Sequence, residues 1–182
     1  MAYHTNIYIP KIIVSGYMAS GKTSVARELG RYLRYPVVDL DSEIEQREGM
    51  GIPEIFEKKG EVYFRKAEHR ILVDLLSQPG NMVLSVGGGT PCYANNHLEF
   101  IGNGKVSVFL KTSVPELARR IEADGTIRPL VKGLSGEPLE QFIAQHLFER
   151  NDFYRHARYS VNTDGRTPEE IAREIAALTQ VS

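Results

Sequence analysis

The residues with the clearest chemistry form one octapeptide, Gly16-Tyr17-Met18-Ala19-Ser20-Gly21-Lys22-Thr23. Glycines at its first and sixth positions let the backbone wrap with its N–H groups turned inward, a nest for phosphate oxygens. Lys22 can reach β- and γ-phosphates from there, and the Thr23 hydroxyl can serve Mg2+. The G-x-x-x-x-G-K-[ST] pattern carries this meaning only between a strand and a helix. Both are present. Ile12-Ile13-Val14 is a short β-branched run, and residues 25–33 set apolar side chains at helical spacing behind the loop. The helix N-terminus adds donors and the positive end of its dipole. The stretch predicts a nucleoside triphosphate site.

Other residues could act on an acceptor. Asp39 and Asp41 alternate, so on an extended strand end they share one side of the backbone. A carboxylate beside a hydroxyl can orient it and accept its proton. Ser42 is placed to cap a helix starting near Glu43. Gly87-Gly88-Gly89 follows a strand-like run, where bare backbone allows close approach of a ligand. Ligands of open α/β sheets bind at such carboxyl ends. Arg65 and arginines of flanking helices offer planar, forked donors for carboxylate or phosphate. Arg128 sits in a basic, glycine-bearing loop, residues 126–136, of the kind that forms a lid. Together these groups suit a small hydroxylated anion. Plainer readings stand beside them. Arg65 could be an exposed ion pair with Glu68, the two aspartates a polar turn with a helix cap, and Arg128 a solvated charge.

Strand-like runs at residues 11–15, 36–38, 82–86, 105–110 and 158–161 must position these groups, with helical patterns between them. One long helical region, about residues 53–76, is interrupted near Gly60; its second part carries the stripe Phe64, Ala67, Ile71, Leu72 and Leu75. Arg65 and Glu68, three apart, are neighbours on another face. Further helices are predicted from Pro115 to about Gly125, over about residues 138–156, and at the end of the chain. The alternation predicts an α/β fold with a parallel sheet covered on both faces and right-handed crossovers.

At 182 residues, 42% of them hydrophobic, the chain suits one domain with a core that needs no staples. A net charge of −1 supplies no basic field for nucleic acid. No apolar run approaches the roughly 20 residues needed to cross a bilayer, and the first ten residues lack a secretory pattern. The single cysteine, Cys92, excludes an internal disulfide and fits a reducing cytoplasm.

The phosphate loop, Asp39-Leu40-Asp41, Phe64-Arg65-Lys66-Ala67-Glu68, Ser85-Val86-Gly87-Gly88-Gly89, Arg128-Pro129-Leu130, and Glu149-Arg150 followed by Tyr154 occur as an ordered set. In these features the chain resembles the shikimate kinases over almost its whole length. The resemblance implies a three-layer P-loop kinase fold: a five-stranded parallel sheet in order 2-3-1-4-5, helices on both faces and a mobile lid. It implies one kinase domain over residues 1–182, with the phosphate loop at 16–23, a substrate-binding region at about 41–70 and the lid at about 125–137. The implied reaction is ATP-dependent phosphorylation of the 3-hydroxyl of shikimate, a step toward chorismate. Lys22, Asp41 and Arg128 are then catalytic. Gly16, Ala19, Ser20, Gly21, Lys22, Thr23, Ser24, Arg120, Arg128 and Arg166 contact the nucleotide. Asp41, Arg65, Gly87, Gly88, Gly89 and Arg150 hold shikimate, and Thr23 and Asp39 serve Mg2+. The expected partners are shikimate and ATP, with no nucleic acid and no membrane, in a cytoplasmic monomer. One departure is Ala19, where the family commonly has glycine. Rival expectations are a different hydroxy-acid kinase, such as a gluconate kinase, or a nucleotide-gated binding protein without turnover.

Overall fold

The structure, a computed structural model, describes residues 11–124 and 129–179. Its centre is β1 (Lys11–Gly16), buried along its whole length. Around it lie β2 (Val37–Asp39), β3 (Met82–Ser85), β4 (Lys105–Lys111) and β5 (Tyr159–Asn162). All neighbours run parallel, in the order β2-β3-β1-β4-β5. A strand flanked on both sides and covered on both faces must be apolar throughout, and Ile12-Ile13-Val14 meets that demand.

Alternation along the strands divides the core into two layers. Ile12 and Val14 meet Val25 and Leu29 of α1 (Lys22–Leu33) and Ile171 and Ile175 of α7 (Pro168–Thr179). Ile13, between them, points to the other face. There it meets Leu40 and Ile44 of α2 (Leu40–Glu48) and Phe64, Ile71 and Leu72 of α3 (Ile52–Ser77). Full burial of one such side chain is worth ~1.5–3 kcal/mol. A third cluster joins α5 (Val114–Asp124) to α6 (Gly136–Tyr154) through Leu117, Ile121, Leu139 and Ile143, with Tyr17 and Val131 between them. No described helix is long and apolar enough to cross a membrane.

Two local features set the site. α3 is broken at Gly60, whose φ of 80° and ψ of 168° leave the helical region. The predicted interruption is therefore real. The expected cap is not. Asp39, not Ser42, caps α2: it is extended (φ −102°, ψ 121°), and its Oδ1 accepts the Ser42 N–H at 3.3 Å. Aspartate caps as well as serine, and here it already stands at the strand end. The helix thus starts at Leu40, and Asp41 sits in its first turn instead of on the strand. A short helix, α4 (Asn96–Glu99), and a 3-10 turn at Thr90–Cys92 follow the glycines where no element was predicted.

Candidate active site

The phosphate loop bridges β1 and α1. An added Cβ at Gly16 would stand 2.6 Å from Ser20 Oγ and 3.1 Å from the Leu110 carbonyl, so the first glycine is required by close approach. Gly21 caps α1 with a φ of 92°. Lys22 Nζ donates to the Tyr17 carbonyl at 2.7 Å, curled over the loop it serves. Ala19 keeps a left-handed φ of 61°, a conformation that costs a residue with a Cβ about 1–2 kcal/mol. Ala19→Gly removes that strain but frees the unfolded chain, an opposing effect of about 0.4–1 kcal/mol. The expected net result is a gain of roughly 0.5–1 kcal/mol, read as a higher denaturation midpoint. A lower midpoint would show the alanine to be unstrained.

A cavity of about 320 Å³ lies over the loop, walled by Lys22, Thr23, Asp39, Asp41, Ser85 and Gly88 among others. Thr23 Oγ1 donates to Asp39 Oδ2 at 3.3 Å. A hydroxyl beside a carboxylate is an all-oxygen donor set of the kind hard divalent cations take alongside phosphate and water. Among the described residues no cluster of three or more histidine, cysteine or acidic side chains could grip a metal alone. The residues present therefore fit a Mg2+ bound largely through the nucleotide.

The glycines report the acceptor side one at a time. An added Cβ at Gly87 would lie 3.1 Å from Asp41 Oδ1; at Gly88, 3.7 Å from Arg150 Nη1; at Gly89, 3.0 Å from Arg65 Nη2. One carboxylate and two guanidinium groups thus stand over three successive backbone units, and any side chain there would fill the space between them. Asp41 is pushed up from its ordinary 3.8 to about 6, first by burial, then by Asp39 and Glu68, with Lys22 opposing.

Arg65 and Glu68 do pair, at 2.9 Å, but not as an exposed couple: the Glu68 side chain is 1% accessible. Its other oxygen accepts the Thr90 hydroxyl at 2.6 Å, so the carboxylate is anchored from the turn after the glycines. Arg65 also lies against the rings of Tyr93, 4.7 Å from the centroid, and Phe64, 5.1 Å. Its buried Nε makes no hydrogen bond; the Glu61 carboxylate stands 3.6 Å from it as an ion pair. Arg150 sits over the Tyr17 ring at 5.9 Å, and Tyr154 donates to the Gly88 carbonyl at 2.6 Å. Thr90 and Tyr93 carried no sequence signal, because their contacts depend on how the turn folds back onto α3.

On the far side of the loop, Arg120 Nη1 donates to the Ser20 and Ala19 carbonyls at 3.1 and 3.4 Å, and Nη2 to the Thr163 carbonyl at 2.9 Å. Arg120, Arg166, Gly165 and Pro168 help to line a second cavity, about 440 Å³ in volume. Arg166 is held by Glu174 at 2.6 Å. Arg128 lies outside the described residues. Of the rest of the expected lid, Val131 is buried between Tyr17 and Ile143, while Leu130 is 58% exposed.

A phosphate loop after the central strand of a parallel 2-3-1-4-5 sheet defines a P-loop kinase fold. The family model described as shikimate kinase matches residues 18–180. A shikimate kinase of Flavobacterium johnsoniae is 44% identical over 165 residues, 91% of this chain and 96% of that one. The crystal structure of shikimate kinase from Bacteroides thetaiotaomicron aligns with a TM-score of 0.84 at 32% identity, covering 94% of this chain and 99% of that one. The Acinetobacter baumannii shikimate kinase in complex with shikimate aligns at 0.82 and 35%, covering 94% and 93%. A gluconokinase of Sinorhizobium meliloti, at 20% identity and a TM-score of 0.63, shares the fold alone. The chain belongs to the shikimate kinase family.

Proposed function

We propose that this enzyme transfers the γ-phosphoryl group of ATP to the 3-hydroxyl of shikimate, with its own residues dividing the work as follows. Arg65 and Arg150 grip the shikimate carboxylate, and the backbone of Gly87, Gly88 and Gly89 lies against the ring. Asp41 orients the hydroxyl and takes its proton as the oxygen–phosphorus bond forms and the bond to ADP breaks. Lys22 and the loop N–H groups hold the phosphates and neutralise charge gathering on the transferring group. Arg128, from the expected lid, helps to neutralise that charge. Thr23 and Asp39, the latter through water, would hold Mg2+, which when bound neutralises and orients the phosphate oxygens. Gly16, Ala19, Ser20, Gly21 and Ser24 cradle the phosphates, and Arg120 and Arg166 flank the base. The reading extends to a single kinase domain working as a monomer in the cytoplasm.

The observation that carries it is the arrangement of Asp41, Arg150 and Arg65 over three consecutive glycines. It spaces one proton acceptor from two forked cations as a hydroxylated carboxylate requires. The test is Arg65→Lys. Lysine keeps the charge that Glu68 needs but loses the fork. Losing one charge-assisted hydrogen bond, worth roughly 1.5–3 kcal/mol, should weaken shikimate binding about ten- to a hundredfold. ATP affinity without shikimate should stay unchanged. Calorimetry on both ligands reads this directly. Weakened ATP with intact shikimate binding would move Arg65 to the nucleotide side.

A further inference from the structure

The opposite end of the sheet, where its central strands begin, holds a second constellation that phosphoryl transfer does not use. The parallel register sets Lys11, the first residue of β1, beside Lys105, the first of β4, and beside Met82 of β3, which Asn81 precedes. These strand starts lie about 17 Å from the phosphate loop, the length of β1. Between them is a cavity of about 390 Å³, lined by Lys11, Lys105, Asn81, Asn103, Gly80 and Leu76 among others, and among the described residues none that lines it is acidic.

The charges in this cavity are unbalanced. Lys11 is 8% exposed, and its ammonium donates to the Gln78 carbonyl. Lys105 donates to the Glu99 carbonyl at 2.8 Å. An ammonium has three donors, and the described residues accept one from each lysine. Among the described residues no carboxylate pairs with either lysine, whereas Lys58 and Lys59 on α3 both have glutamate partners. The side-chain amides of Asn81 and Asn103 also stay without a hydrogen bond among the described residues. Lys105 is half-buried, and both ammonium groups rest on helix-end carbonyls, Gln78 after α3 and Glu99 of α4; two like charges side by side still attract an anion.

We propose that this cavity is a binding site for a phosphoryl dianion carried by a small metabolite. Two ammonium point charges without an arginine fork favour phosphate over a planar carboxylate. The amides supply the neutral donors. The volume exceeds what a bare phosphate ion fills, leaving room for an organic group against Leu76.

The test is a titration of the 15N-labelled full chain, saturated with Mg-ADP so that the phosphate loop is occupied. Glycerol 3-phosphate is one arm and inorganic phosphate the other, with ionic strength held constant by NaCl. The amide signals of Gly80, Asn81, Asn103 and Gly104 should shift and saturate. Tighter binding of the monoester assigns the remaining volume to its organic group; equal binding confines recognition to the phosphoryl group. Lys105→Met should weaken the midpoint at least about tenfold. Asn103→Ala, at an exposed position, should weaken it severalfold without disturbing the fold. Signals that stay still, that follow chloride equally, or that titrate unchanged in both variants would overturn the proposal.

Discussion

Lys22→Ala is expected to lower kcat by about 10²–10³-fold, the loss found when one preorganised donor to a developing negative charge is removed. The physical basis lies in the position of Nζ. It rests on the Tyr17 carbonyl within the loop and lines the cavity proposed to take the β- and γ-phosphates. Little else should change. The side chain is not part of any apolar cluster, and α1 stays anchored by Val25 and Leu29. Thermal unfolding should therefore match the parent within ~0.5 kcal/mol, the range of ordinary surface substitutions. Single-turnover measurements separate the chemical step from nucleotide release. Parent-like turnover in the folded variant would remove Lys22 from the catalytic group.

The second large effect concerns Asp41. As the proposed proton acceptor it must be ionised, and its surroundings push it up to about 6. In the parent, kcat/KM should fall as pH drops through about 6. In Asp41→Asn the rate should fall by about 10²–10⁴, and that acid limb should disappear. Stability should move the opposite way. A carboxyl raised above its ordinary 3.8 binds its proton more tightly folded than unfolded. Its burial is therefore harmless below 3.8 and becomes destabilising as pH rises through about 6. At neutral pH the asparagine variant should gain up to about 2–3 kcal/mol, two units at 1.36 kcal/mol each. Denaturant titrations at pH 5 and 8 check the sign, and the gain should be larger at pH 8. A variant that loses activity but keeps the acid limb would assign that limb to another group.

Several of these groups could be read from the chain because they depend on local order. The five strands, the phosphate loop and the break at Gly60 follow from apolar runs and glycine placement, so their positions agree with the structure within a residue or two. The cap of α2 was misassigned because Asp39 and Ser42 satisfy the same local rule, and only the path of β2 decides between them. The contacts that tune the site are long-range. Glu68 could be seen three residues from Arg65, but not its burial, nor the Thr90 hydroxyl that holds it. Tyr93 reaches Arg65 only after the turn beyond the glycines closes. Spacing finds the groups; the burial that shifts Asp41 appears only once α2, α3 and the glycine turn meet.

The Arg120 guanidinium has a consequence for how the molecule resists opening. It ties the carbonyls of Ala19 and Ser20 to that of Thr163, directly after β5. Among the described residues that strand is an edge, paired to β4 alone, and an exposed edge is where a sheet recruits foreign strands. Detaching β5 must therefore break the Arg120 link between its end and the phosphate loop. A nucleotide that stiffens the loop makes detachment rarer by the same linkage through which any ligand protects the state it binds. Amide exchange along Tyr159–Asn162 should slow when ATP is added. The substrate would then also be a guard against aggregation, protecting the margin of the sheet by occupying its centre.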